Sequence, residues 1–169
     1  MRVIFFFLFI ALNLNAITYA QNGKELDRRN GFKDIKLLSN INDNTKLEFS
    51  KDVKDKPDYA IYKPRKGQYD KIGDIDIKRL NVYVYRKQIY QIEITTEKSM
   101  QLFKSLEKAF GKINTSMVSK NAFWEGEKVR LNYMVEGSNK VILRYRSRDI
   151  DKIIAIDNKN KIDSLSTEF

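Results

Sequence analysis

The chain has 169 residues, a formal net charge of +10, and neither cysteine nor histidine. Without histidine no Ser-His-Asp or Cys-His nucleophile can form, and without either residue there is no His- or Cys-ligated zinc or iron site. Carboxylate chemistry of the glycosidase kind survives, because it needs only two acids.

The first twenty residues, MRVIFFFLFIALNLNAITYA, have the layout of a secretory leader. Arg2 precedes an apolar run from Val3 to Leu12. Asn13 and Asn15 cut that run well short of the roughly 20 residues a membrane span needs. Thr18 and Ala20 put small residues where a signal peptidase needs them, so cleavage is expected after Ala20. With no cysteine at that site, a lipid-modified terminus is excluded. The exported remainder is the size of one ordinary domain and can close a core without disulfides. It is expected in the periplasm or outside the cell, with no transmembrane span after cleavage. The leader holds one cation, so the basic surplus persists after its removal. That surplus fits an acidic protein or an anionic envelope polymer as partner, and it also fits a uniformly Lys-rich composition. Cations are not bunched in one tail, and export takes nucleic acid off the list of expected partners.

Residues 21–30, QNGKELDRRN, are polar without a period and read as a flexible lead-in. Structure is expected from Gly31, with Ser39 capping a short helix over residues 40–49. YAIYK (59–63) ends at Pro64, as an edge strand would. In IDIKRLNVYVY, Ile75 and Ile77 share one parity while Leu80, Val82 and Val84 share the other, which predicts a bulge near Lys78-Arg79. A three-residue loop, Arg86-Lys87-Gln88, would set these three opposite Ile94, Ile92 and Tyr90 in a hairpin. Asn81, Tyr83 and Tyr85 would then point outward, facing Ile89 and Gln91.

The main helix is expected from Glu97 to Phe110, with Thr96 as N-cap and Gly111 at the C′ position. Its apolar stripe is Met100, Phe103, Leu106 and Phe110, flanked by Leu102 and Ala109. Three strands follow. Phe123, Val129, Leu131, Tyr133, Val135, Val141, Leu143 and Tyr145 all fall on odd positions, which predicts one buried sheet face. Keeping that parity needs odd loops, Glu125-Gly126-Glu127 and Gly137-Ser138-Asn139, with Asn139 in the left-handed position. IDKIIAI then forms a short helix or a last strand, and residues 157–169 a tail.

In this register Trp124 turns away from the core, opposite Lys128. Arg130 faces Arg146, Lys128 faces Arg148, Asn132 faces Arg144 and Met134 faces Ile142. Like charges directly opposite destabilise a sheet by up to about 1 kcal/mol a pair. An anionic partner, or internal carboxylates lying over the face, would relieve that cost; long basic side chains splayed into solvent would do so too. The candidate contact residues are therefore Trp124, Lys128, Arg130, Arg144, Arg146 and Arg148, joined by Tyr83 and Tyr85 from the first half. GDID (73–76) and RDID (148–151) offer paired acids of the kind a glycan hydrolase would use. DNKNKID (157–163) fails as a calcium loop, because Lys159 and Lys161 stand where ligands should be. With no Gly-rich phosphate loop and no nucleophile elbow, neither a cofactor nor a metal is expected.

The same order of elements recurs in residues 31–96 and 97–148: a short helical or loop element, then antiparallel strands. Together with LFKSLEKAFGK (102–112), Trp124 before a Gly turn and Val129-Arg130-Leu131, this order resembles the tandem helix-plus-meander modules of secreted beta-lactamase-inhibitor-like proteins and of small outer-membrane-assembly lipoproteins. In the inhibitor-like proteins, the sheet face turned away from the helices grips a partner through aromatic side chains. The resemblance implies that Trp124, Tyr83 and Tyr85 would occupy that surface. The expectation is an α+β domain over 31–156, its antiparallel meanders packed on one face by one main helix. Its expected role is a non-enzymatic, exported binding protein of the bacterial envelope, with a carboxylate-dependent glycan hydrolase or a structural accessory domain as the alternatives.

Overall fold

The computed structural model describes residues 23–115 and 121–167; the expected leader lies outside them. The fold is α+β. Residues 23–29 form a helix, α1, followed by a small hairpin of β1 (Gly31–Phe32) and β2 (Ile35–Lys36) and a 3-10 turn at Ile41–Asp43. A first meander comprises β3 (Leu47–Val53), β4 (Lys56–Pro64), the short β5 (Lys71–Ile72), β6 (Ile75–Tyr85) and β7 (Gln88–Glu97). Helix α2 (Met100–Phe110) leads into β8 (Asn114–Thr115), β9 (Asn121–Glu125), β10 (Val129–Glu136) and β11 (Lys140–Ser147), and α3 (Ile150–Ser166) follows. The strands from β3 onward make one antiparallel sheet in the order β3-β4-β6-β7-β11-β10-β9-β8, with β5 paired on β6; β1 and β2 form a sheet of their own. The two meanders thus meet at their last strands, β7 and β11.

The lead-in differs from its expected flexibility. Leu26 of α1 is fully buried in the main core, so the described part of this polar stretch, from residue 23, is anchored by one apolar side chain. The helix expected over 40–49 shrinks to the 3-10 turn, and its second half becomes β3. YAIYK is not an edge either, because β4 lies between β3 and β6.

The β6–β7 hairpin has the expected bulge between Ile77 and Arg79, and the pairs Leu80–Ile94 and Val82–Ile92 are in register. Its turn is shorter than expected. Arg86 and Lys87 both take positive φ (46° and 67°), a two-residue turn of the kind that suits the strand twist. A two-residue turn alone would throw the core pairs out of register by one. A second irregularity opposite Tyr83–Val84 restores the register, leaving Tyr90 as the extra residue and Ile89, not Tyr90, in the core. Ile89 therefore does not belong to the outward row.

Helix α2 covers the inner face of the sheet with Leu102, Leu106 and Phe110, while Phe103 and Ala109 pack at its edge. Ser99, not Thr96, is the N-cap; its hydroxyl accepts from the Leu102 N–H at 3.3 Å, and Glu97 ends β7. Met100, one position inside the cap, is left 67% exposed. Gly111 closes the helix at φ 81°, which only glycine adopts freely. The β10–β11 hairpin pairs as expected, from Val129–Ser147 to Glu136–Lys140, although Gly137 rather than Asn139 takes the left-handed conformation. The expected tail is helical as far as Ser166, where α3 ends.

Candidate binding surface

The register of β9 decides which face carries which aromatic. Arg130 pairs with Glu125, so four residues, not three, span the turn. That flips the parity of β9: Trp124 lies opposite Leu131, and Ala122 opposite Tyr133. Trp124 is 2% exposed, its ring 6.3 Å from Phe103 and 6.4 Å from Phe110. Its indole N–H donates to the Gly111 carbonyl at 2.8 Å. Phe123 faces outward in its place, half-exposed beneath the Arg130 guanidinium at 4.2 Å. The odd parity expected of this strand is corrected, and Trp124 leaves the candidate surface.

The longer turn is held from outside its own hairpin. The Asp27 carboxylate on α1 accepts the backbone N–H groups of Glu127, Lys128 and Val129 at 2.7, 2.9 and 3.0 Å. Gly126 is required because a Cβ there would lie 2.3 Å from the same carboxylate.

On the outer face the four arginines are paired with carboxylates, not splayed. Glu93 of β7 accepts from Arg144 Nε at 2.6 Å, from the Tyr83 hydroxyl at 2.9 Å and from Gln91 at 3.2 Å. Burial, and next the bond to Glu93, push the Tyr83 pKa above its ordinary value. Arg146 donates to Gln91 at 3.1 Å and to Asp151 of α3 at 2.6 Å, with its guanidinium 5.5 Å from the Tyr90 ring centre. Arg130 and Arg148 share Glu125 at 3.8 and 3.6 Å, and Arg148 also donates to the Gly126 carbonyl at 2.7 Å. The like-charge row is therefore offset by internal carboxylates, one of the explanations its pattern allowed. Lys128 has no carboxylate partner among the described residues.

Helix α3 explains the fate of Tyr85. Arg146 alternates with the core residue Tyr145, so Asp151 can reach it only if α3 crosses the outer face. Farther along, Asp157 accepts the Tyr85 hydroxyl at 2.8 Å and pairs with Arg86 at 2.9 Å, and Lys161 pairs with Asp58 at 2.6 Å. Tyr85 and Ile150 are buried yet lie outside the main core cluster, in the seam under this helix. Tyr85 packs on Tyr59 at 4.8 Å, and Tyr59 on Tyr90 at 6.0 Å. Of the eight expected contact residues, Trp124 and Tyr85 are thus withdrawn. Tyr83 and Arg144 meet at Glu93, and Lys128, Arg130 and Arg148 cluster at the β9–β10 turn. Arg146 stands between the two groups.

Scans of the chain against protein-family models, curated proteins and solved structures find no match.

The partners that sequence reasoning missed are Glu93, Glu125, Gln91 and Asp151. Glu93 and Gln91 alternate with Ile92 and Ile94, so their outward direction was legible; that β7 neighbours β11 was not. Three of the paired acids are engaged by cations. Asp76 pairs with Lys71 at 3.7 Å, Asp149 with Lys152 at 3.1 Å and Asp151 with Arg146. Asp34 and Asp43 share a cleft of about 320 Å³. Partial burial works to raise the Asp34 pKa, but hydrogen bonds from Lys46 and Tyr69 outweigh it and hold the carboxyl below its ordinary value. A glycosidase acid needs the opposite shift. Among the described residues no cluster of three or more acids is placed to hold a metal ion, and no helix is long and apolar enough to cross a membrane.

Proposed function

We propose that this chain is an exported, non-enzymatic binding protein of the bacterial envelope that docks an acidic partner protein on the part of its outer sheet face left open by α3. The observation that carries this reading is the fixing of that face. Arg144, Tyr83 and Gln91 converge on a Glu93 side chain only 14% exposed, and Arg130 stacks on Phe123. Cations that merely solvate a sheet splay into water. These are held in place, which lowers the ordering cost of association. Beside them stand the half-exposed Met134 and Ile142, paired across β10 and β11. Tyrosine, arginine, phenylalanine and methionine together have the composition of a protein interface. Five cations, Lys128, Arg130, Arg144, Arg146 and Arg148, outnumber the three carboxylates, Glu93, Glu125 and Asp151, that pair with the four arginines. The surplus selects an acidic partner.

Photo-crosslinkers placed at Asn132 and Ile142, and at Lys108 on the helix side as control, test this in the native envelope. The expected result is one discrete adduct with an acidic protein from the outer-face positions alone, lost with Phe123→Ala/Arg130→Glu while thermal unfolding changes little. Adducts that are equal from both sides, or that survive the double substitution, would overturn the reading.

A further inference from the structure

A second basic site lies where β4 and β6 part. Their ladder runs only from Tyr59–Tyr85 to Tyr62–Val82. Two positions on is Pro64, which has no N–H to extend it. Beyond that point the chain turns away through Arg65–Asp70, while β6 continues back to Ile75. The β6 edge from Ile77 to Asn81 is left without a strand on that side. The gap is a cleft of about 500 Å³. Its walls carry Lys63, Arg65, Lys66, Lys78 and Arg79 against a single carboxylate, Asp70.

These cations are less well compensated than those of the outer face. Lys63 and Arg65 share Glu48 at 3.4 and 3.9 Å, and Lys78 pairs with Glu97 at 3.0 Å. Lys66 and Arg79 have no ion pair among the described residues, although they face the same space from opposite walls. Concentrating like charge around a concave space costs stability and focuses a positive potential there. Ser50, Gln68 and Asn81 add neutral hydrogen-bonding groups to the walls. The volume exceeds what one ion needs and lies in the range of small-ligand sites.

We propose that this cleft binds a ligand bearing clustered tetrahedral oxyanions, phosphate or sulfate, with Lys66 and Arg79 closing on it from the two sides. Such groups are carried by small polyphosphates and by sulfated glycan chains alike. The site is separate from the protein-docking face and stands on different residues.

Calorimetric titration of the leader-free protein at low salt, with inorganic tripolyphosphate in one arm and a heparin-derived tetrasaccharide in the other, tests the proposal. Saturable binding is expected in at least one arm, weakened tenfold or more by Lys66→Glu/Arg79→Glu and less than twofold by Lys128→Glu, with both variants unfolding at the wild-type temperature. Tighter binding of tripolyphosphate assigns the site to small polyphosphates, and tighter binding of the tetrasaccharide assigns it to glycan chains. Failure of both probes to saturate would overturn the proposal. So would an equal loss with Lys128→Glu, since attraction to net charge alone would then suffice. If the double variant itself unfolds early, Lys66→Gln and Arg79→Gln separately must each still weaken binding.

Discussion

The indole N–H of Trp124 donates to the carbonyl of Gly111 at 2.8 Å, which joins β9 to the end of α2. Gly111 in turn donates its own N–H to the Glu107 carbonyl at 2.7 Å, so one residue both closes the helix and receives the sheet. Trp124→Ala should lower stability by about 3–5 kcal/mol, as deletion of a buried aromatic does. Trp124→Phe should cost less, since it keeps most of the ring volume and forfeits mainly the hydrogen bond, worth about 1 kcal/mol or somewhat more. Urea unfolding measures both. The native fluorescence should be blue-shifted and inaccessible to iodide; quenching like that of free indole would put the ring back on the surface.

Asp27 and Gly126 should be coupled. Asp27→Ala removes the acceptor for three backbone N–H groups, and a cost of about 1–3 kcal/mol is expected because water can reach part of the turn. Gly126→Ala should destabilise the wild-type chain through its 2.3 Å clash with the Asp27 carboxylate. In the Asp27→Ala background the same substitution should cost clearly less. A double-mutant cycle by thermal unfolding checks this, and simple additivity would show that the clash is not the cause.

Glu93 should matter more to stability than Arg144. Glu93→Ala leaves Arg144, Tyr83 and Gln91 without their shared acceptor, an expected loss of about 2 kcal/mol or more. Arg144→Ala leaves Glu93 with two donors and should cost less. Denaturant midpoints for the two variants decide the order.

Stability should fall between about pH 10 and pH 12. Burial, helped by its hydrogen bond to Asp157, pushes Tyr85 up to about 12, and burial does the same to Tyr69 and Tyr90. The neutral phenols are favoured in the folded state, so the unfolded chain releases their protons first, near pH 10. The stabilisation is complete below that pH and is lost as pH rises through the folded values. Ultraviolet titration of the tyrosines alongside circular dichroism should show late, cooperative ionisation in the native protein. Tyr85→Phe, which cannot ionise, should flatten the decline.

Much of the sheet was legible because period-two alternation is a local property. The β10–β11 hairpin, the Lys78–Arg79 bulge and the Leu80–Ile94 and Val82–Ile92 pairs all follow from parity within a dozen or so residues. Parity is also fragile, because one extra residue reverses it. At Tyr90 the two-residue turn and its bulge offset each other, and the sequence pattern reads the same as for a three-residue loop. At β9 the longer turn is bound by Asp27, a hundred residues away. Among the outer-face residues, the cations and their outward direction could be read from alternation. Their carboxylates could not, because Glu93 and Asp151 reach them through strand adjacency and through α3.

By itself the sequence determined an antiparallel α+β domain with one amphipathic helix over its inner face, since burial of alternating and helical apolar patterns is dictated residue by residue. It also determined that cations line the opposite face. Only the tertiary structure decided that the tryptophan belongs to the core and the phenylalanine beside it to the surface. Both are large and apolar, and the choice follows from a four-residue turn whose N–H groups bond to a distant carboxylate. The packing of α3 over Tyr85, and the opening of a basic cleft where Pro64 ends a ladder, are likewise settled by which strands become neighbours, a relation that no local periodicity encodes.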